Sequence, residues 1–271
     1  MKLCMSMWSF QELISGHQMD FQGFADYCAG HGVAHVELLD FFVESSLEDC
    51  LSIMDQKRLQ PAVWSVCNDF VQPAGELRKK QIDYMLRQID IAKRIGAPLM
   101  RAFSGDVKDS VPDFEEGIAS IKACFAPCIA YAAQKGITLC LENHGVFAAA
   151  SHQVAGLLSA FDSPYMRSNF DTANFLFVDE APVEAAKSLS GQVSLLHVKD
   201  YALSREGAGW PSLKGAWYEG CPLGQGAVPL PEIFDILRQG GFDGVASIEL
   251  ECKDPLASAD SSIAYLRGMG L

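Results

Sequence analysis

Short runs of Val, Ile, Leu and Met alternate along this chain with longer stretches in which apolar residues recur every three or four positions. The short runs predict strands at Lys2–Met7, Ala34–Leu39, Gln60–Val66, Leu99–Phe103, Thr138–Glu142, Arg167–Phe170, Ser194–Lys199 and Val245–Leu250. The amphipathic stretches predict helices near Phe21–Gly30, Ser46–Lys57, Glu76–Ile95, Asp113–Gln134, His152–Phe161, Val183–Leu189, Pro231–Arg238 and Ser258–Arg267. Helix punctuation agrees. Asp113 precedes Phe114, Ile118 and Ile121 at helical spacing and Gly136 follows; Pro231 opens one helix and Gly240-Gly241 close it. Runs such as VSLLHV and VASIEL are almost continuously apolar, as expected of parallel strands buried on both faces.

Strand-then-helix units repeated through 271 residues predict an α/β protein with the (βα)8 TIM-barrel fold, one domain spanning 1–271. The alternative, a doubly wound open sheet, usually carries a glycine-rich first turn, and WSFQELISGHQ after the first strand has no such turn. The longest stretch without periodicity is Ala202–Val228, rich in glycine and carrying Trp210 and Trp217. In a barrel it lies on the catalytic face, where a long loop serves as a lid, a rigid decoration or a subunit contact.

The formal net charge of −13 opposes phosphate backbones and anionic lipid surfaces, which excludes nucleic acid and membrane as expected partners. Nine cysteines, an odd number without a Cys-x-x-Cys pair, sit mostly in apolar runs and are read as reduced, buried thiols of a cytoplasmic protein. MKLCMSMWSF leads into polar residues without a cleavage site, so it is read as a first strand and not as a signal peptide. No apolar run approaches the roughly 18 residues of a membrane span. The pattern admits a homo-oligomer without requiring one.

Candidate chemistry lies where the last four strands end. Glu142 ends LCLE, Asp171 ends RSNFD, His197 interrupts LLHV and Glu249 follows ASI. Catalytic groups of α/β barrels come from the C-terminal ends of strands. A charge beside an apolar run is costly unless paired or metal-bound. Three carboxylates and an imidazole suit one divalent ion: Mn²⁺, Mg²⁺, Co²⁺ or Zn²⁺. Around them, Lys199 either binds a substrate oxygen or pairs with Asp200. Glu37 suits a barrel-end salt bridge, and Arg101 suits a substrate hydroxyl or carboxylate. Trp8 and Trp64 offer a sugar-stacking wall or core packing. His144 is a structural or substrate-facing histidine, while His17, His31, His35 and His152 read as surface or packing residues.

The ordered segments LENHG, NFDTAN, LLHVKD, PLGQGAV and GFDGVASIELE resemble the xylose-isomerase-like superfamily of sugar isomerases and epimerases. HVELLD and WSVCNDF in the first half match it more loosely. The resemblance implies that Glu142, Asp171, His197 and Glu249 bind one divalent metal. It also implies that Glu142 and Glu249 act as the catalytic acid/base pair on opposite faces of a sugar, sugar derivative or polyol. The implied reaction is isomerisation or epimerisation by proton transfer next to a carbonyl, with a lyase or dehydratase on the same site as the alternative. Two positions depart from the ketose 3-epimerase pattern. Asn174 stands where the Asp-x-x-His motif has its substrate-touching histidine, and Ala148 stands where a second glutamate follows the strand-five one. Apurinic endonucleases share the architecture, but their histidine-rich multi-zinc cluster is not matched by six histidines with one at a strand end. A non-catalytic sugar-binding barrel is disfavoured because all four ligand positions are filled.

Overall fold

The computed structural model describes residues 1–111, 113–205 and 207–271. The first seven strands run β1 (Lys2–Ser6), β2 (His35–Leu39), β3 (Gln60–Ser65), β4 (Leu99–Ala102), β5 (Thr138–Glu142), β6 (Met166–Asp171) and β7 (Val193–Val198). Three short strands follow, β8 (Tyr201–Leu203), β9 (Trp210–Pro211) and β10 (Trp217–Gly220), and then β11 (Val245–Ile248). β1 to β7 and β11 form a closed barrel in the order β1-β11-β7-β6-β5-β4-β3-β2, with every pairing parallel. The α-helices are α1 (Gln11–Ser15), α2 (Phe21–Gly30), α3 (Asp40–Val43), α4 (Leu47–Lys57), α5 (Glu76–Ile95), α6 (Phe114–Lys135), α7 (Ser151–Phe161), α8 (Pro182–Leu189), α9 (Leu230–Gln239) and α10 (Pro255–Gly268). Each predicted strand and helix is present, with ends displaced by up to three residues. Asp113 caps α6 by accepting from the Glu116 amide at 3.0 Å, and Gly136 ends it in the left-handed region.

The period of two along each strand decides what fills the barrel. Cys4, Val63, Cys140, Leu195 and Val245, with Leu99 against them, form an apolar cluster separate from the main core. Two residues further along the same strands stand Ser6, Ser65, Glu142, His197, Ser247 and Arg101, all buried. The interior is therefore apolar at its N-terminal end and polar at its C-terminal end. The intervening residues, such as Leu139, Leu141, Leu196 and Ile248, face outwards and join the helices in the main core. Seven of the nine cysteines are buried and all are free, in line with the thiol reading; Cys67 is exposed and Cys221 half-buried. Among the described residues no helix is long and apolar enough to cross a membrane.

The stretch expected to lack regular structure folds instead as a three-stranded antiparallel sheet in the order β8-β10-β9. Its strands are two to four residues long, too short for a hydrophobic period to show. Two acidic side chains anchor this region. Asp179 accepts from Ser212 Oγ and the Lys214 amide, both at 2.8 Å. The buried Asp200 carboxylate accepts from the amides of Gly224, Gly226 and Val228 at 2.9, 2.9 and 3.1 Å. A side chain at Gly226 would collide with that carboxylate, and one at Gly224, where φ is +81°, would strike the Tyr265 ring. PLGQGAV is thus glycine-containing because the backbone wraps an aspartate at contact distance.

Asp200→Ala leaves three amide donors without their acceptor inside the fold. It should cost about 2–4 kcal/mol, read as a lower urea midpoint with an unchanged native circular dichroism spectrum. A midpoint equal to that of the parent would show that Asp200 does not hold this segment.

Candidate metal centre

Parallel register brings the four predicted ligands together. Asp171 at the end of β6 lies opposite His197 on β7, and Ser247 on β11 flanks His197 from the other side. Glu142 ends β5 and Glu249 follows β11. All four are buried, and one ligand atom from each lies within 4.8 Å of the others.

The ligands are oriented from behind. His197 Nε2 lies 3.0 Å from Glu37 Oε1, and the Glu37 carboxylate also accepts from Ser65 Oγ and Ser247 Oγ, each at 2.5 Å. This assigns the Nε2 proton to the Glu37 bond and turns Nδ1 towards Glu249 Oε2 at 3.4 Å and Glu142 Oε2 at 3.7 Å. Asp171 Oδ1 accepts from the amides of Ala173 and Asn174 at 2.8 and 3.0 Å. Glu142 Oε1 accepts from Asn174 Nδ2 at 3.3 Å, and its Oε2 lies 3.4 Å from both Asn169 Nδ2 and Arg101 Nε. The Asn143 side chain both accepts from the Asp171 amide at 2.7 Å and donates to the Asp171 carbonyl at 3.0 Å, locking β5 against β6.

Two buried atoms of the cluster, Asp171 Oδ2 and His197 Nδ1, have no hydrogen-bond partner. Buried polar atoms are rarely left so, and both belong to the ligand set. Three carboxylates and one imidazole with a free lone pair fit a divalent cation of hard or borderline character.

Burial opposes ionisation of Glu249, but His197 and Lys199 outweigh it and hold its carboxyl well below the usual range. Burial raises Glu142, and neighbouring Glu249 and Asp171 push the same way against His197 and Arg101. Burial also disfavours charge on His197, yet the Glu249 and Glu37 carboxylates raise it well above its ordinary value. The cluster thus draws positive charge strongly.

The remaining predicted residues are distributed unevenly. Lys199 Nζ lies 2.7 Å from Glu249 Oε2, 3.3 Å from Asp171 Oδ2 and 3.4 Å from Glu251 Oε1. It does not pair with Asp200. Arg101 donates to the Val66 carbonyl at 3.0 Å and stacks 4.0 Å from the Phe103 ring centre. Glu37 makes a buried pair with His197 near the end of β7, in keeping with the salt-bridge reading. Asn174 also donates to the Asn143 carbonyl at 3.1 Å. His144 is exposed, 4.7 Å from Phe103 ring to ring. Trp8, Arg101, His144, Asn174 and Lys199 all line a cavity of about 1000 Å³ above the cluster.

Trp64 does not line it. Between inward Val63 and Ser65 it points outwards, is fully buried and donates to Gln88 Oε1 on α5 at 2.8 Å, which corrects the expectation of a Trp64 sugar wall. Ala148 packs in the core. Glu251 was missed. It accepts from Trp8 Nε1 at 3.0 Å and Tyr201 OH at 2.6 Å, and the ELE spacing, which sets it beside Glu249 on one side of an extended chain, was its available signal.

Glu37→Gln should weaken metal binding about 10–100-fold, measured by competition with a chelator, and Ser247→Ala should shift it less in the same direction. Parent-like affinity in Glu37→Gln would remove Glu37 from the site.

The chain is similar to several known proteins. Of the curated relatives, the Escherichia coli K12 protein YihM is 25% identical over 159 residues, 57% of this chain and 44% of its own. The 3-oxo-isoapionate decarboxylase of Pectobacterium atrosepticum is 26% identical over 156 residues, 58% of this chain and 53% of its own. The chain spans about half the length of these relatives. Among solved structures, an IolI protein with a bound zinc atom superposes with a TM-score of 0.79 at 18% identity, covering 100% of this chain and 96% of that one. A probable 3-DHS dehydratase, AsbF of Bacillus anthracis, gives 0.74 at 19% over 98% and 99%. D-psicose 3-epimerase crystallised with D-fructose gives 0.74 at 13% over 99% and 98%. Residues 25–269 match the family described as xylose isomerase-like TIM barrel, which covers the barrel from α2 to α10 and all four clustered ligands. The chain belongs to the xylose isomerase-like TIM barrel family.

Proposed function

We propose that this protein is a divalent-metal-dependent isomerase or epimerase of a sugar, sugar derivative or related polyol, working by proton transfer at a carbon next to a carbonyl. The observation that carries the reading is the pair Glu142 and Glu249. Both reach His197 Nδ1, at 3.7 and 3.4 Å, at the floor of one cavity. They come from strands separated by β6 and β7 in the barrel, so they approach a bound substrate from two sides. One carboxylate takes the proton and the other returns one. A divalent ion held by Glu142, Asp171, His197 and Glu249 would acidify that C–H and stabilise the negative charge that follows.

The chain's other residues fit this work. Arg101 beside Glu142 and Lys199 beside Glu249 orient each carboxylate with a charge-assisted contact. Asn174 cannot act as a base; its amide holds Glu142 by the oxygen that Arg101 does not touch. Lys199, Arg101, Asn174, His144 and Trp8 are the substrate contacts we assign, since all line the cavity.

A second reading, a lyase on a modified sugar, is favoured by Ala148 and Asn174, which remove two side chains of the ketose epimerase pattern. The 26% identical relative named as a decarboxylase supports it too. β-Elimination begins with the same proton removal, whereas decarboxylation breaks a C–C bond and releases CO2; both leave an enolate that a divalent ion would stabilise.

Elemental analysis of protein purified without chelator should give one divalent ion per chain. Chelation should abolish turnover, and Mn²⁺, Mg²⁺, Co²⁺ or Zn²⁺ should restore it. With substrate deuterated at the reacting carbon, a primary isotope effect is expected. Turnover with no isotope effect, accompanied by solvent oxygen entering the product, would make the enzyme a hydrolase and end this reading.

A further inference from the structure

Among the described residues, four of the ten exposed large apolar side chains gather round one cavity. Phe114, Val146, Trp210 and Leu213 are 42%, 47%, 60% and 81% exposed, and all four line the cavity above the carboxylate cluster. Phe177 joins them from beneath. Its ring lies 5.2 Å from that of Tyr201, whose hydroxyl donates to Glu251, and its carbonyl accepts from the Leu213 amide at 3.0 Å. Phe103, also in the lining, carries Arg101 over its ring and has His144 tilted against it at 4.7 Å between ring centres. The cavity therefore has a charged floor and an apolar outer wall, connected through Phe103 and the Phe177–Tyr201 pair. The wall is a built feature. Asp179 holds the Ser212 side chain and the Lys214 amide, which bracket Leu213.

This shape does not suit a free monosaccharide. A small sugar carries hydroxyls around its whole ring and fills only part of about 1000 Å³, the upper end of sites that enclose drug-sized ligands. Seated on the floor it would leave the wall wet. Leu213 and Val146 offer neither hydrogen bonds nor a ring to stack on a sugar face, and clustered exposed apolar side chains mark a surface that something covers. We propose that the substrate is a keto-sugar derivative carrying an apolar substituent of aromatic size, such as an aryl glycoside with a ketone on its sugar ring. The ketone keeps the carbonyl that proton transfer needs, and simple glycosides serve as binding probes of the same shape. The sugar lies over the carboxylate cluster and the substituent against Trp210, Leu213, Phe114 and Val146. The inference rests on the sugar-processing reading of the floor and adds the substrate class.

The metal-loaded full chain, titrated calorimetrically with phenyl and methyl glycosides in matched gluco, galacto, manno and xylo series, tests it. The phenyl compound should bind about 10–100-fold tighter in at least one series, the gain expected from burying one ring. The double variant Trp210→Ala/Leu213→Ala should lose that preference while keeping its metal content and circular dichroism. Equal affinities in every series, no binding of any glycoside, tighter binding of disaccharides than of phenyl glycosides, or a preference that survives in the double variant would each overturn the proposal. So would a double variant whose sedimentation shows an oligomer broken into monomers, because the wall would then be a subunit contact. Metal removal separates the two claims. Glycosides should bind several-fold more weakly without the ion; if they do not while the phenyl preference stands, the reading of the floor has failed and the apolar wall has not.

Discussion

Mutual repulsion among buried carboxylates is the constraint on which this structure turns. Glu37, Glu142, Asp171 and Glu249 converge inside one end of a barrel, with Glu251 at its edge. Arg101 and Lys199 are the permanent cations set among them. Removing one charge from water costs several kcal/mol even after relaxation, and bringing like charges together adds to it. Such a site exists only if the surrounding fold is stable without it and if a further cation completes it. The apolar lower half of the barrel and the helix layer outside meet the first condition. The donor set, with two atoms that have ionic neighbours but no hydrogen bond, fits a divalent cation in that role.

How much of this was readable from the chain depended on the range of the interaction involved. The barrel strands were readable because an apolar run records burial on both faces locally. The four residues that cluster were readable because each breaks such a run at a strand end. Trp64 was misplaced because strand composition gives residue type but not parity; only the pairing of Ser65 with Glu37 shows which face of β3 looks inwards. Glu37 was visible as a charge in HVELLD, yet its partner lies 160 residues away and no local pattern records it. The small sheet after β7 was unreadable for a different reason. Its strands are shorter than any period, and their order is set by side-chain anchors such as Asp179 and Asp200.

Adjacent residues in LLHVKD have been given separate tasks by strand geometry. His197 and Lys199 project into the site, while Asp200 turns away and organises the backbone of Gly224–Val228. The segment thus couples the floor of the cavity to the loop beyond it through the main chain. A shift in that loop would be felt at Lys199 before it reached the ligand set.

The hydrogen-bonded chain Ser65–Glu37–His197 crosses the barrel interior and joins the two halves of the sequence. All four ligand residues fall in the second half, so that half looks self-sufficient on paper. Its imidazole is nevertheless aimed by a carboxylate from β2, and one of its glutamates is steadied by a guanidinium from β4. A chimera that joined the second half of this barrel to the first half of a relative would carry every ligand across. It would leave behind this chain's own Glu37 and Arg101, so here the unit that recombination must preserve is the whole barrel.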